Sequence, residues 1–244
     1  MIQRRSALTL LAAGALAAAL PLRAHAADKE KGTIVIIGTG LVGGTLGRRW
    51  AALGYKIIYG SRTPDADKVK TLLMDTGNGA VALHPKDAAA KSDLILLAVP
   101  WAAAKEVVAG LGDLSGKILI DPTNAVKVTE GRFEAPPGMT TSNGEEIQAV
   151  APTAIVIKAF NTLSAEMMAD SKRAGGPISV PIAGADPAAK ARVAAIAENT
   201  GMEPVDVGAL YVSRYLEGMA RLRMSFRAKN RPNAFEYYLR PRRD

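Results

Sequence analysis

The run Thr33-Ile34-Val35-Ile36-Ile37-Gly38-Thr39-Gly40-Leu41-Val42-Gly43-Gly44 sets G-x-G-x-x-G between five β-branched residues and the start of a helical pattern. β-branched side chains favour a strand, and the glycines mark a strand-to-helix turn. Each glycine has its own task. Gly38 permits the tight turn, Gly40 lets the backbone approach a pyrophosphate, and Gly43 lets the helix lie close on the strand. The phosphates would then sit at the positive end of the helix, where free backbone N–H groups point at them.

A second strand, Lys56–Gly60, follows at the distance expected of a βαβ unit and ends in Gly60-Ser61-Arg62-Thr63-Pro64. A site for NAD places a carboxylate here to accept the ribose hydroxyls. From Gly60 onward this chain has no acid before Asp65. An Asp would repel a 2′-phosphate, whereas a guanidinium can pair with it through two hydrogen bonds. Ser61, Arg62 and Thr63 therefore read as a pocket for NADP.

Working outward, further strands are expected at Ala80–Leu83, Leu94–Val99, Ile118–Asp121 and Ala154–Phe160, with helices at Val42–Leu53, Asp65–Thr76, Asp87–Lys91 and Ala102–Gly112. Nearly continuous apolar runs such as Leu94–Val99 indicate a sheet covered on both faces. The fold class is α/β, a Rossmann-type doubly wound parallel sheet with a small C-terminal α+β portion. In that portion Ile178–Ala183 and Glu203–Val207 flank a helix at Pro187–Thr200, and Leu210–Arg227 reads as an amphipathic helix. Thr129–Asn143 shows no periodicity and is expected to be a long loop over the active site. The carboxyl ends of the parallel strands line the ligand crevice. That puts Ala98, Val99 and Pro100 beside the cofactor, with Trp101 either against a ring or in the core. Asn124, Ala159 and Asn161 end the next two strands. Each Asn could bond a carboxamide or a flavin-like edge, or serve as a turn residue.

The 244 residues contain no Cys and two His, which removes disulfides, thiolate metal sites and cysteine nucleophiles and leaves little for a His-based metal site or triad. His84 reads as a loop residue, and Lys158 either as an acid or as the start of a turn. Residues 1–26 read as a signal peptide: a basic head, an apolar run from Ala7 to Leu22, and Ala24-His25-Ala26 as a cleavage site. The run falls short of the roughly 20 residues a membrane helix needs. Arg4-Arg5 resembles a twin-arginine signal, with an ordinary secretory signal as the alternative. A periplasmic protein with no stable membrane span after cleavage is expected. Loss of Arg4, Arg5 and Arg23 lowers the formal charge from +8 to +5, too little for a nucleic-acid partner without a clustered patch. Residues 27–163 would form the nucleotide domain and 164–227 a small substrate or dimer portion. Residues 228–244 would form a basic tail, solvated or, if Phe235, Tyr237 and Tyr238 pack, closing the cleft or a dimer contact.

The blocks Gly38-Thr39-Gly40, Gly60-Ser61-Arg62, Ala98-Val99-Pro100, Asp121-Pro122-Thr123-Asn124, Lys158-Ala159-Phe160-Asn161-Thr162 and Val205-Asp206-Val207-Gly208 occur in an order that resembles the NADP oxidoreductases dependent on coenzyme F420, a deazaflavin. The NADPH domains of STEAP-type ferric reductases are similar in the same blocks. The resemblance implies hydride transfer between NADP and F420 or a flavin as co-substrate. It implies Gly38 to Val42 on the pyrophosphate, Ser61 to Thr63 on the 2′-phosphate, and Ala98 and Val99 by the nicotinamide. The inventory is compatible: hydride transfer between two rings needs orientation more than a protein acid. Two alternatives stay open, a non-catalytic NADP-binding or redox-sensing module and an imine reductase resembling pyrroline-5-carboxylate reductase.

Overall fold

The computed structural model describes residues 31–227 and 235–240, so the signal-peptide reading of residues 1–26 lies outside the described residues. Strands β1 (Thr33–Ile37), β2 (Lys56–Gly60), β3 (Val81–Leu83), β4 (Leu94–Leu97) and β5 (Ile118–Asp121) alternate with helices α1 (Leu41–Ala52), α2 (Asp67–Thr76), α3 (Pro85–Ala89) and α4 (Trp101–Ala109). A hairpin of β6 (Lys127–Thr129) and β7 (Arg132–Glu134) follows, then α5 (Asn143–Val150), β8 (Ile155–Lys158) and α6 (Ala165–Ala169). The chain continues through β9 (Ser179–Ala183), α7 (Pro187–Asn199), β10 (Glu203–Gly208) and α8 (Ser213–Arg227). The main sheet runs β10-β9-β8-β5-β4-β1-β2-β3. Its pairings are parallel except where β8 meets β9 antiparallel, at Lys158 and Ala183. The two strands of the C-terminal portion thus extend the same Rossmann-like sheet.

The apolar runs bury both faces, as a doubly wound sheet requires. Ile34 and Ile36 pack with Leu46 and Trp50 of α1, Leu72 of α2 and Val193 and Ile196 of α7. Val35 and Ile37 face the other way, onto Ala88 of α3, Ala104 and Val108 of α4 and Ile147 of α5. The Trp50 indole donates to Thr200 Oγ1 (3.1 Å) and its ring meets Phe160 edge to face at 5.8 Å, so one residue of α1 ties the nucleotide half to the last strands.

Three expectations are corrected. Thr129–Asn143 is not one long loop. Glu130 and Gly131 both take positive φ (50° and 75°), which suits a two-residue hairpin turn between β6 and β7. The hairpin packs on α8 through β7, and none of its residues lines the dinucleotide pocket described below. The tail is not simply solvated either. Over residues 235–240, Phe235 meets Phe226 and Tyr237 edge to face at 5.0 and 5.3 Å. The Tyr237 carbonyl accepts the Ser179 N–H (2.9 Å), and its hydroxyl donates to the Met219 carbonyl (2.8 Å). Burying aromatic area against α8 outweighs solvation of the neighbouring charges. The third correction, Lys158, belongs to the site. Among the described residues no helix is long and apolar enough to cross a membrane.

Candidate functional site: a dinucleotide crevice

A cavity of about 380 Å³ opens at the carboxyl ends of β1, β2 and β4. Its floor is Gly38, Thr39 and Gly40. Gly38 adopts φ +113°, and a Cβ there would collide with the Ala98 carbonyl oxygen. Only glycine fits, because the backbone of β4 passes directly overhead; the Ala98 N–H donates to the Ile37 carbonyl (2.8 Å). Gly43 is constrained by a different contact: a Cβ would strike the Gly38 carbonyl oxygen. Beyond Gly40 there is open space. Helix α1 starts there with no side-chain cap and no acidic residue in its first turn. The first N–H groups of a helix lack intrahelical acceptors, so this end is ready for an anion. Leu41, three-quarters exposed, begins the turn; Val42 packs on the core and Gly43 is buried.

The other wall begins where β2 ends. Ser61 is buried; its N–H donates to the Leu83 carbonyl (2.9 Å), and its hydroxyl oxygen accepts the Thr63 N–H (3.2 Å). The hydroxyl proton remains available to a ligand. Arg62 and Thr63 are exposed beside it, and Lys68 of α2 joins them in the lining. Among the described residues neither Arg62 nor Lys68 has a hydrogen-bond or ion-pair partner of its own through its charged group. Ala98, Val99 and Pro100 line the β4 side, with Pro85, Ala103, Glu106 and Val107 completing the cavity. A glycine floor, an uncapped helix end, two cations and an apolar slot fit an NADP molecule.

Further along, the ends of β5 and β8 carry a second constellation. Asn124 donates to the Asn161 carbonyl (3.1 Å), and Asn161 Nδ2 donates to Asn124 Oδ1 (2.9 Å). Phe160 sits between Ala159 and Asn161 at φ 65°, a conformation costly for a bulky residue and stabilised by its contact with Trp50. Behind the pair, Lys158 is fully buried. Its three protons go to Asp121 Oδ2 (2.9 Å), Glu217 Oε1 (2.7 Å) and the Thr123 carbonyl (2.6 Å). Glu217, from α8, also accepts the N–H groups of Ala125 (3.2 Å) and Asn143 (2.9 Å). Asn143 opens α5, so the carboxylate lies at that helix's positive end. Lys158 neither begins a turn nor reaches the crevice as an acid; it ties β5, β8 and α8 together.

A sequence model of the family described as NADP oxidoreductase, coenzyme F420-dependent, matches residues 33–125. The solved structure of a candidate F420-dependent NADP reductase from Arthrobacter sp. FB24 is 30% identical, with a TM-score of 0.77, covering 85% of this chain and 99% of that one. The chain belongs to this family. It shares 27% identity over 201 residues with the human metalloreductase STEAP2, 79% of this chain but 36% of the relative, so it spans about a third of that protein's length. A reductive aminase from Aspergillus terreus, solved with NADPH and ethyl-5-oxohexanoate, matches at 19% identity with a TM-score of 0.57 over 78% of this chain and 59% of its own; that likeness concerns the fold alone.

In this member of the family the pocket brings together Gly38, Thr39, Gly40, Ser61, Arg62, Thr63, Ala98, Val99 and Pro100. Asn124, Ala159 and Asn161 do not line it, and Ala159 is buried in the core. Trp101 uses its indole N–H on the Val126 carbonyl (3.0 Å), which anchors α4. His84 is exposed and precedes α3 without capping it through its side chain. Lys68, Glu106 and Glu217 are the functional candidates that sequence reasoning passed over. Lys68 is the second residue of α2, close behind Arg62 in the chain, a cue that a search for cations near the second strand would meet.

The entrance of α5 carries a pH-sensitive pair. Ser142 and Glu145 form a capping box, and Arg214 of α8 holds the Glu145 carboxylate through two bonds (2.7 and 2.8 Å). The Arg214 hydrogen bonds keep the Glu145 carboxyl below its usual range. Because the folded value is depressed, the pair stabilises the fold above the ordinary carboxylate range and stops doing so as pH falls through the folded value. Glu145→Gln keeps a capping-box side chain but removes the charge. We expect a lower urea midpoint for this variant at neutral pH and a gap that closes in acid. A gap unchanged by acid would show that the charge is not what matters.

Proposed function

We propose that this chain transfers hydride between NADP(H) and a planar ring acceptor of the deazaflavin or flavin type. The observation that carries the reading is the distribution of polarity in the crevice. Its cations cluster at the β2 side, with Arg62 and Lys68, whereas Ala98, Val99 and Pro100 present an apolar wall. NADPH, when bound, supplies the hydride from its nicotinamide ring. The backbone at Gly38–Gly40 and the first turn of α1 hold the pyrophosphate, and Ser61, Arg62, Thr63 and Lys68 take the 2′-phosphate. The β4 end excludes water from one face of the reacting ring and orients it, which is the main demand of a ring-to-ring transfer. Carbonyl and imine reduction call for a proton donor at the substrate. Lys158 is committed to three buried acceptors and His84 is not among the residues that line the crevice, so neither supports that chemistry.

The test is NADPH oxidation by the purified protein with F420, FMN, a ferric chelate and a cyclic imine offered in parallel. Turnover with the deazaflavin or flavin supports the proposal. Reduction of the imine alone would move the chain to the imine reductases, and NADP binding with no turnover to a sensing module. We further propose export through residues 1–26; periplasmic fractionation that leaves the protein in the cytosol would refute it.

A further inference from the structure

The cavity contains one carboxylate, and a cavity meant for a polyanion needs a reason to hold it. Ala103, Glu106 and Val107 share one face of α4 by their i, i+3, i+4 spacing, and all three line the pocket beside Pro85. This wall is apolar apart from Glu106. The neighbouring Lys105 is taken by Glu146 on the outer side (2.6 Å), and the Glu106 carboxylate has no partner among the described residues. The phosphates belong at the glycine floor and at Arg62 and Lys68, where the donors are. What remains for the α4 wall is the purine. Its apolar faces suit Pro85, Ala103 and Val107, and adenine carries one hydrogen-bond donor at its edge, the exocyclic amine. A carboxylate accepts and never donates, so it favours an amine over a carbonyl at that position.

We infer that Glu106 accepts the adenine amine and makes this site select adenine over purines that lack it. The inference rests on the NADP reading above. It is tested by calorimetric titration with NADP and with nicotinamide purine dinucleotide phosphate, in which hydrogen replaces the amine and N1 stays an acceptor. The wild-type protein is expected to prefer NADP by about tenfold, the size of one charge-assisted hydrogen bond. Glu106→Ala, a good helix former at an exposed position, should lose most of this preference while the thermal midpoint stays put. Glu106→Gln, whose amide oxygen accepts without a charge, should keep a smaller preference than the wild type. Tight NADP binding with no preference in the wild type, or a preference that survives Glu106→Ala, overturns the role of Glu106 and leaves the cofactor reading intact. Failure of NADP to bind at all overturns both.

Discussion

Lys158→Met is expected to destabilise the protein by about 3–5 kcal/mol, the loss typical of breaking a buried ion pair from one side. Asp121, at the end of β5, and Glu217, in the second turn of α8, would remain buried in the interior with no cation between them. Their backbone donors do not replace one. Asp121 keeps the Thr123 N–H (2.8 Å) and hydroxyl (2.6 Å), and Glu217 keeps the N–H groups of Ala125 and Asn143. Methionine matches much of the lysine stem in volume, so the loss reports charge rather than a cavity. Asp121→Asn in the Lys158→Met background removes one of the stranded charges and is expected to recover part of the loss. Urea unfolding monitored by far-UV circular dichroism measures both. A single variant within about 1 kcal/mol of wild type would mean that water reaches the cluster and screens it. The consequence for function follows from geometry. The lysine also donates to the Thr123 carbonyl, one residue before Asn124, so the β5 end and its Asn124–Asn161 pair should loosen with it.

How far such features can be read from the chain depends on their range. The glycine floor was legible because its residues are adjacent and each glycine has a steric reason that holds in any βαβ unit; the positive φ of Gly38 and its contact with Ala98 bear that out. The second strand was legible to the residue, since Gly60 ends an apolar run and no acid follows it before Asp65. Helix α5 was missed, although Ser142 and Glu145 form the S-x-x-E signature of a capping box. Glycine, proline and threonine in the preceding stretch hid it. The hairpin was missed for a different reason: three-residue strands with exposed side chains carry almost no period. The lysine cluster could not be read at all. Asp121 and Lys158 are register partners across β5 and β8, and that follows only once the strand order is known. Glu217 arrives from a helix whose apolar period says nothing about which carboxylate turns inward. The Asn124–Asn161 pair has the same origin: two strand ends that meet only in the folded sheet.

Arg62→Ala should weaken NADP binding by about 1.5–3 kcal/mol, roughly one to two orders of magnitude in the dissociation constant, and leave NAD nearly unchanged. The two dinucleotides differ only in the 2′-phosphate, so the difference isolates the contact. Arg62 follows the end of β2 next to the buried Ser61 and has no partner among the described residues to satisfy when the phosphate leaves. Its removal therefore subtracts a ligand contact without unbalancing the fold. Lys68 remains on the same wall and caps the loss from above, because a second cation still faces the phosphate. Lys68→Ala alone should cost less, since a flexible ammonium acts as a point charge and its share falls as salt rises. The double variant should bring NADP close to NAD. Fluorescence titration of both nucleotides at two ionic strengths measures each of these differences. Equal weakening of NADP and NAD by Arg62→Ala would mean that the guanidinium serves the adenine ring by stacking, and the choice between the two cofactors would then rest on Lys68 and the hydroxyls of Ser61 and Thr63.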